Sequence, residues 1–199
     1  MNVVVPGRPG RPYLDGDSLD LSAPVAFTVP EVLDAATCAA LVDRIEAIGP
    51  EAAPITTPRG FEMRPDVRNN RRVIFDDVEL AAMLYARVAP ALPDPLCAMH
   101  PVGANERFRC YRYDVGQRFA PHYDGAFVRD AHEASLLTLM VYLNEGFAGG
   151  ATAFHDFGHE VVPRTGMALL FQHRVLHEGC EVTAGVKYAL RSDIMYRTA

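Results

Sequence analysis

The segment Phe119-Ala120-Pro121-His122-Tyr123-Asp124-Gly125 bears most directly on chemistry. In an extended backbone, positions i and i+2 face one side, so the side chains of His122 and Asp124 would point together. A neutral imidazole and a carboxylate on one face offer two metal ligands. A third must come from elsewhere, and His177, 53 residues after Asp124, is the candidate if its strand returns beside the first. Two histidines and a carboxylate make a facial triad, which leaves other coordination positions open and suits a non-haem Fe(II) ion. The same three ligands could hold zinc for hydrolysis. A His-x-Asp triplet arises often by chance, so the weight falls on what accompanies it.

Lys187 lies ten residues after His177, and Arg191 four further on. On a strand, Lys187, Ala189 and Arg191 share a face. Two cations aimed into a β-barrel would be costly to bury without an anion, and a dianionic cosubstrate would supply one. Arg191 has an alternative in a salt bridge with Asp193 or with groups near Asp124. His155, His159 and His173 fit no strand-face pattern with a carboxylate and read as surface or supporting residues. Gly149-Gly150 reads as a turn that needs positive φ.

These residues must be positioned by the elements around them. From Phe108 onward the hydrophobic period is 2, in short runs: Phe108–Asp114, Leu136–Leu143, Thr152–Phe154, Val161–Val162, Ala168–Phe171 and Tyr188–Tyr196. Glycines punctuate them, as in a sandwich or barrel of the jelly-roll kind. Before this half, two stretches have helical periodicity. Asp34 to Ile48 has Asp34 as its candidate N-cap and is stopped by Gly49-Pro50; Asp77 to Ala91 carries Leu80, Leu84 and Val88. Residues 50–72 read as a long irregular loop whose Arg64, Arg68, Arg71 and Arg72 make it locally basic, either solvated or facing an acidic or carboxylate-bearing substrate. Residues 1–24, with Pro6, Pro9, Pro12, Gly7, Gly10 and Gly16, read as an extended arm carrying Arg8 and Arg11, with an edge strand near Val25–Val29. The expectation is one domain over 1–199: an arm (1–24), a helical support region (25–100) and a jelly-roll core (101–199). The fold class is α+β, mainly β.

Composition narrows the field further. Of 199 residues, 49% are hydrophobic and 22% charged, which excludes a disordered chain. The net charge is −6 with no basic stripe, so nucleic acid is not an expected partner. The longest apolar runs fall far short of the roughly 20 residues that span a bilayer. Met1–Pro6 resembles no export signal, and the dispersed Cys38, Cys97, Cys110 and Cys180 form no CxxC pair. Reduced thiols and a cytoplasmic location are therefore expected.

Read together, the motifs resemble the 2-oxoglutarate and Fe(II)-dependent dioxygenases, in the prolyl 4-hydroxylase-like branch of bacterial type. The likeness runs through Arg109–Asp124, Leu137–Asn144, Gly149–Phe154, Val162–Phe171 and His177-Glu178-Gly179. It covers roughly residues 105–197, and the motifs keep the family's order. The resemblance implies a double-stranded β-helix buttressed by N-terminal helices. It implies that His122, Asp124 and His177 bind Fe(II) and that Lys187 pairs with the distal carboxylate of 2-oxoglutarate. Tyr113 would line the cosubstrate pocket, Tyr142 would reach the same carboxylate, and Arg191 is a further cosubstrate contact to test. Ala151 stands where the family's Gly-Gly-Glu-Thr turn has glutamate. The implied reaction hydroxylates an unactivated C–H of a prolyl peptide, protein or amino-acid-like substrate with O₂, giving succinate and CO₂, with ascorbate as an accessory reductant. The competing reading is a non-catalytic jelly roll that binds or senses a metal or small ligand.

Overall fold

A computed structural model of the chain describes residues 1–8, 10, 12–14 and 17–199. Pro9, Arg11 and Gly16 of the expected arm lie outside the described residues. The two helices form where the periodicity places them, for local reasons. In α1 (Ala35–Ile48) the Asp34 carboxylate accepts the Thr37 N–H at 2.7 Å, and Gly49 at φ 87° ends the helix. In α2 (Val78–Val88) the Asp77 carboxylate accepts the Leu80 N–H at 2.9 Å, and a 3₁₀ turn, Ala89–Ala91, follows.

The strands build a nine-stranded antiparallel sheet. Its order is Asn2–Val5, Ala26–Val29, Ala168–Gln172, Glu133–Tyr142, Lys187–Arg197, Arg107–Tyr113, Arg71–Asp76 and Glu51–Ala52, with His100–Ala104 also on Lys187–Arg197. A four-stranded sheet (His159–Val161, Thr152–Phe154, His177–Gly179, Phe119–His122) covers part of it. The period-2 alternation decides which way each side chain faces. On Glu133–Tyr142, Leu137, Leu139 and Val141 join one core with Cys38, Ile45 and Leu84 of the helices. Tyr142, from the other face, packs with Phe154, Phe171 and Ala189 between the two sheets. The fold is thus a mainly β double-stranded β-helix whose large sheet is backed by two helices.

Two expectations need correction. Residues 50–72 are not irregular throughout: Glu51–Ala52 and Arg71–Asp76 extend the large sheet, and Ile55–Thr57 pairs with Gly60–Glu62 as a hairpin. The elements of two or three residues show too little alternation to be seen, and the six-residue Arg71–Asp76 buries only Val73, so partner strands define them. Ala26–Val29 is not an edge strand, because Asn2–Val5 pairs outside it. The arm therefore contributes to the sheet itself, and its Asp20 is buried, accepting the Cys97 N–H at 2.8 Å. The four cysteines are free thiols, and no helix among the described residues is long and apolar enough to cross a membrane.

Candidate active site

His122 ends one strand of the small sheet and His177 begins its neighbour, and the two are register partners. This pairing, set by sheet topology, closes the gap of 53 residues. Asp124 lies two residues past His122, just beyond the strand end. Its Oδ1 is 3.8 Å from His122 Nε2 and its Oδ2 is 3.6 Å from His177 Nε2. Ligand atoms of all three lie within 4.8 Å of one another. Separations of 3.6–3.8 Å are too long for hydrogen bonds among the three, which suits donors arranged around a cation rather than a resident ion pair.

Backbone carbonyls orient both rings. His122 Nδ1 lies 2.8 Å from the Ala120 carbonyl, and His177 Nδ1 lies 3.1 Å from that of Val175. A carbonyl only accepts, so Nδ1–H donates and the Nε2 lone pairs face inward. His122 also stacks on Phe119, ring centres 3.5 Å apart. Burial and the neighbouring His177 push His122 down to about 3, and burial pushes His177 and His173 down as well. For Asp124, burial works to raise the value, but Arg191 and the two histidines hold the carboxyl well below its usual range. Neutral imidazoles beside an ionised carboxylate are the protonation states that metal binding requires.

One consequence concerns stability. With metal stripped, all three histidines are biased toward the neutral form in the folded chain but protonate near pH ~6.5 once it unfolds. A depressed folded value favours folding above that pH, and the advantage is lost as pH falls. Urea midpoints of chelator-treated protein should therefore fall from about pH 7 to 5, by up to ~1.4 kcal/mol per unit for each histidine. A flat profile would show that these imidazoles are not buried in neutral form.

A narrow cleft of about 20 Å³ runs inward from the triad. Its lining includes Tyr113, Met140, Thr152, Lys187, Ala189 and Arg191, so a ligand of any size there must be met by side-chain movement. Lys187 is 1% exposed and its Nζ donates to the Gly150 carbonyl at 2.6 Å. Gly150 sits at φ 66° and Gly149 at φ 73°, the turn conformation read from the glycine pair. No carboxylate pairs with Lys187 among the described residues. Its ammonium lies 5.1 and 5.5 Å from the ring centres of Tyr113 and Tyr142, and burial pushes it down to about 8. The charged partners of Arg191 and Lys187 set them apart. Arg191 already lies 3.2 Å from Asp124 Oδ2 and 3.0 Å from Asp193 Oδ1. Tyr142 is fully buried behind the cleft, its hydroxyl 2.7 Å from Thr152 Oγ1, and Thr152 is what faces the cleft.

Of the residues behind the carboxylate, Thr138 carried no signal in the sequence, whereas His173 was read there as a surface or supporting residue. Thr138 donates to Asp124 Oδ2 at 2.7 Å, and buried His173 lies within 2.8 Å of Ser135 Oγ and 3.3 Å of Thr138 Oγ1. His173 thus sits behind the carboxylate, while His155 and His159 are exposed. The arginines of 59–72 divide. Arg64 pairs with Asp66 at the surface, but Arg68 is buried over Phe119 and Tyr111.

Residues 108–192 match the model of the 2OG-Fe(II) oxygenase superfamily. The chain is 35% identical over 101 residues to prolyl 4-hydroxylase subunit alpha-3 of Rattus norvegicus, covering 42% of this chain and 18% of that one. It is 38% identical over 73 residues to probable prolyl 4-hydroxylase 11 of Arabidopsis thaliana, covering 33% of this chain and 24% of that one. The chain thus spans about a fifth of the length of these curated relatives. Among solved structures, a Pseudomonas putida prolyl-4-hydroxylase superposes with TM-score 0.61 at 18% identity, covering 88% of this chain and 93% of that one. A viral collagen prolyl hydroxylase from Paramecium Bursaria Chlorella virus-1 gives 0.58 at 20% identity, covering 87% and 97%. At these identities the structural likeness speaks for the fold.

Proposed function

We propose that the chain, whose residues 108–192 match the 2OG-Fe(II) oxygenase superfamily, is a hydroxylase acting on a prolyl peptide or a small amino-acid-like substrate. The observation that carries this reading is one cleft with two complementary ends. At one end stand two neutral imidazoles and an ionised carboxylate; at the other is a buried ammonium without a carboxylate partner. In this reading His122, Asp124 and His177 hold Fe(II). Lys187 receives the distal carboxylate of 2-oxoglutarate, between the rings of Tyr113 and Tyr142. When bound, iron and 2-oxoglutarate supply the oxidising chemistry, with O₂ consumed and succinate and CO₂ released.

The chain's own residues provide position and charge. Ala120 and Val175 keep the imidazoles in the tautomer that binds metal. Arg191, Thr138 and the histidines keep Asp124 ionised. Phe119, Tyr111 and Tyr113 line the site and limit water around it. Neither zinc-dependent hydrolysis nor a purely ligand-binding jelly roll gives a comparable role to Lys187, which has no carboxylate partner among the described residues. The test is succinate release from 2-oxoglutarate, with and without Fe(II), in air and under argon. Release that needs both Fe(II) and O₂ is expected, with ascorbate sustaining it. No succinate under any condition would overturn the reading.

Thr138 offers a finer check, because its hydroxyl is the neutral donor to Asp124. Groups that orient a metal ligand typically contribute about 10–100-fold in metal affinity or activity. Thr138→Val should weaken Mn(II) binding by about that factor, and Thr138→Ser should restore most of it. Equal affinities across the three proteins would remove Thr138 from the site's machinery.

A further inference from the structure

Outside the triad, a cavity of about 370 Å³ opens onto the same metal face. It shares Tyr111, Phe119, His122, Asp124 and Arg191 with the inner cleft, so the two adjoin across the triad. Its wall also holds Arg68, Arg72 and Arg109, while Asp124 is the one carboxylate lining it. Arg191 is already paired, and Arg109 lies 3.8 Å from Asp193.

Arg68 is in a different position. It is 5% exposed, with its guanidinium 4.4 Å above the Phe119 ring and 4.8 Å above that of Tyr111. Its Nε donates to Asn70 Oδ1 at 2.8 Å, and its buried Nη2 has no hydrogen-bond partner among the described residues. No carboxylate of the described residues pairs with Arg68 or Arg72. Burial, and then the charges of Arg68 and Arg109, hold Arg72 below its ordinary value. A guanidinium so deep with no counter-charge among the described residues is costly, and an oxyanion placed against its free Nη2 would offset that cost. Pro54, Ile55 and Val67 also line the cavity and would accept a short apolar body beside the charge.

We propose that this arginine wall, with Arg68 at its centre, binds a carboxylate of the primary substrate, so that the enzyme hydroxylates acids in preference to neutral peptides. The inference rests on the oxygenase reading for the meaning of the cavity and narrows its substrate class. The carboxylate could be that of a free amino-acid-like molecule or an acidic side chain of a peptide.

The test follows the Arg68 Nε–H resonance, assigned by its loss in Arg68→Met. Methionine can still cover Phe119, so this variant should fold, which its own spectrum checks. Metal-free protein is titrated with acetate and separately with acetamide. A saturable shift with acetate alone is expected; no shift, or the same shift with acetamide, overturns the proposal. This arm needs neither iron nor turnover, so its failure is distinct from a failure to release succinate. It is repeated with Mn(II) and 2-oxoglutarate at saturation. Loss of the acetate response there assigns the wall to the cosubstrate and also overturns the proposal. Two matched pairs then locate the carboxylate: N-acetyl-L-proline against its amide, and an amidated Gly-Glu-Pro-Gly peptide against its Gln counterpart. The acid should bind about tenfold or more tightly in one pair, which identifies the source, and Arg68→Met should abolish the difference. Equal binding in both pairs overturns the assignment.

Discussion

Asp124→Ala should abolish 2-oxoglutarate turnover while leaving the chain folded. Groups that merely orient a metal ligand contribute about 10–100-fold, so removing the ligand itself should cost more than ~100-fold. Asp124 supplies the anionic donor of the triad and faces both Nε2 atoms. The fold does not depend on it in the same way. Arg191 keeps Asp193 as a partner at 3.0 Å, and the apolar cores on either side of the large sheet do not involve Asp124. Succinate release and thermal melting, measured on the same preparation, separate the two effects. A variant that melts near the wild type and still releases succinate at a tenth of its rate would remove Asp124 from the metal site.

Lys187→Ala should raise the concentration of 2-oxoglutarate needed for half-maximal turnover by about 10- to 150-fold, the range of one charge-assisted hydrogen bond. Mn(II) affinity should change little, because Lys187 stands at the far end of the cleft. The wild type also has a pH signature. Burial lowers Lys187 to about 8 in the free protein, so its charge is present below that pH and lost above it. The wild-type requirement for 2-oxoglutarate should climb as pH rises past about 8, and the alanine variant should not follow. Arg191→Ala is the contrasting control. It leaves Asp193 and Asp124 without their main cation, and breaking such a buried pair costs roughly 3–5 kcal/mol. Its expected result is a lower melting temperature with little change in cosubstrate requirement. If Arg191→Ala loses cosubstrate affinity and Lys187→Ala keeps it, the two cations have been assigned in the wrong order.

What the sequence determined alone is what short-range physics controls. The helices at Ala35–Ile48 and Val78–Val88 follow from apolar spacing and the capping aspartates Asp34 and Asp77. Alternation marked the long strands to within a few residues and put Lys187, Ala189 and Arg191 on one face. The closeness of His122 and Asp124 in the chain made them readable as a pair. Tertiary structure decided the rest, because those contacts join residues far apart in the chain. His177 meets His122 only through the pairing of two short strands. Arg191 reaches Asp124 because the large sheet brings its strand beneath the small one, and no local pattern distinguishes it from Lys187. Arg68 was legible as one basic residue in a basic stretch. It is buried because the Val67 carbonyl accepts the Ala120 N–H at 2.8 Å, tying that stretch to the strand that carries His122. A side chain's charge is written in its type, but its desolvation and its partner are set by distant segments.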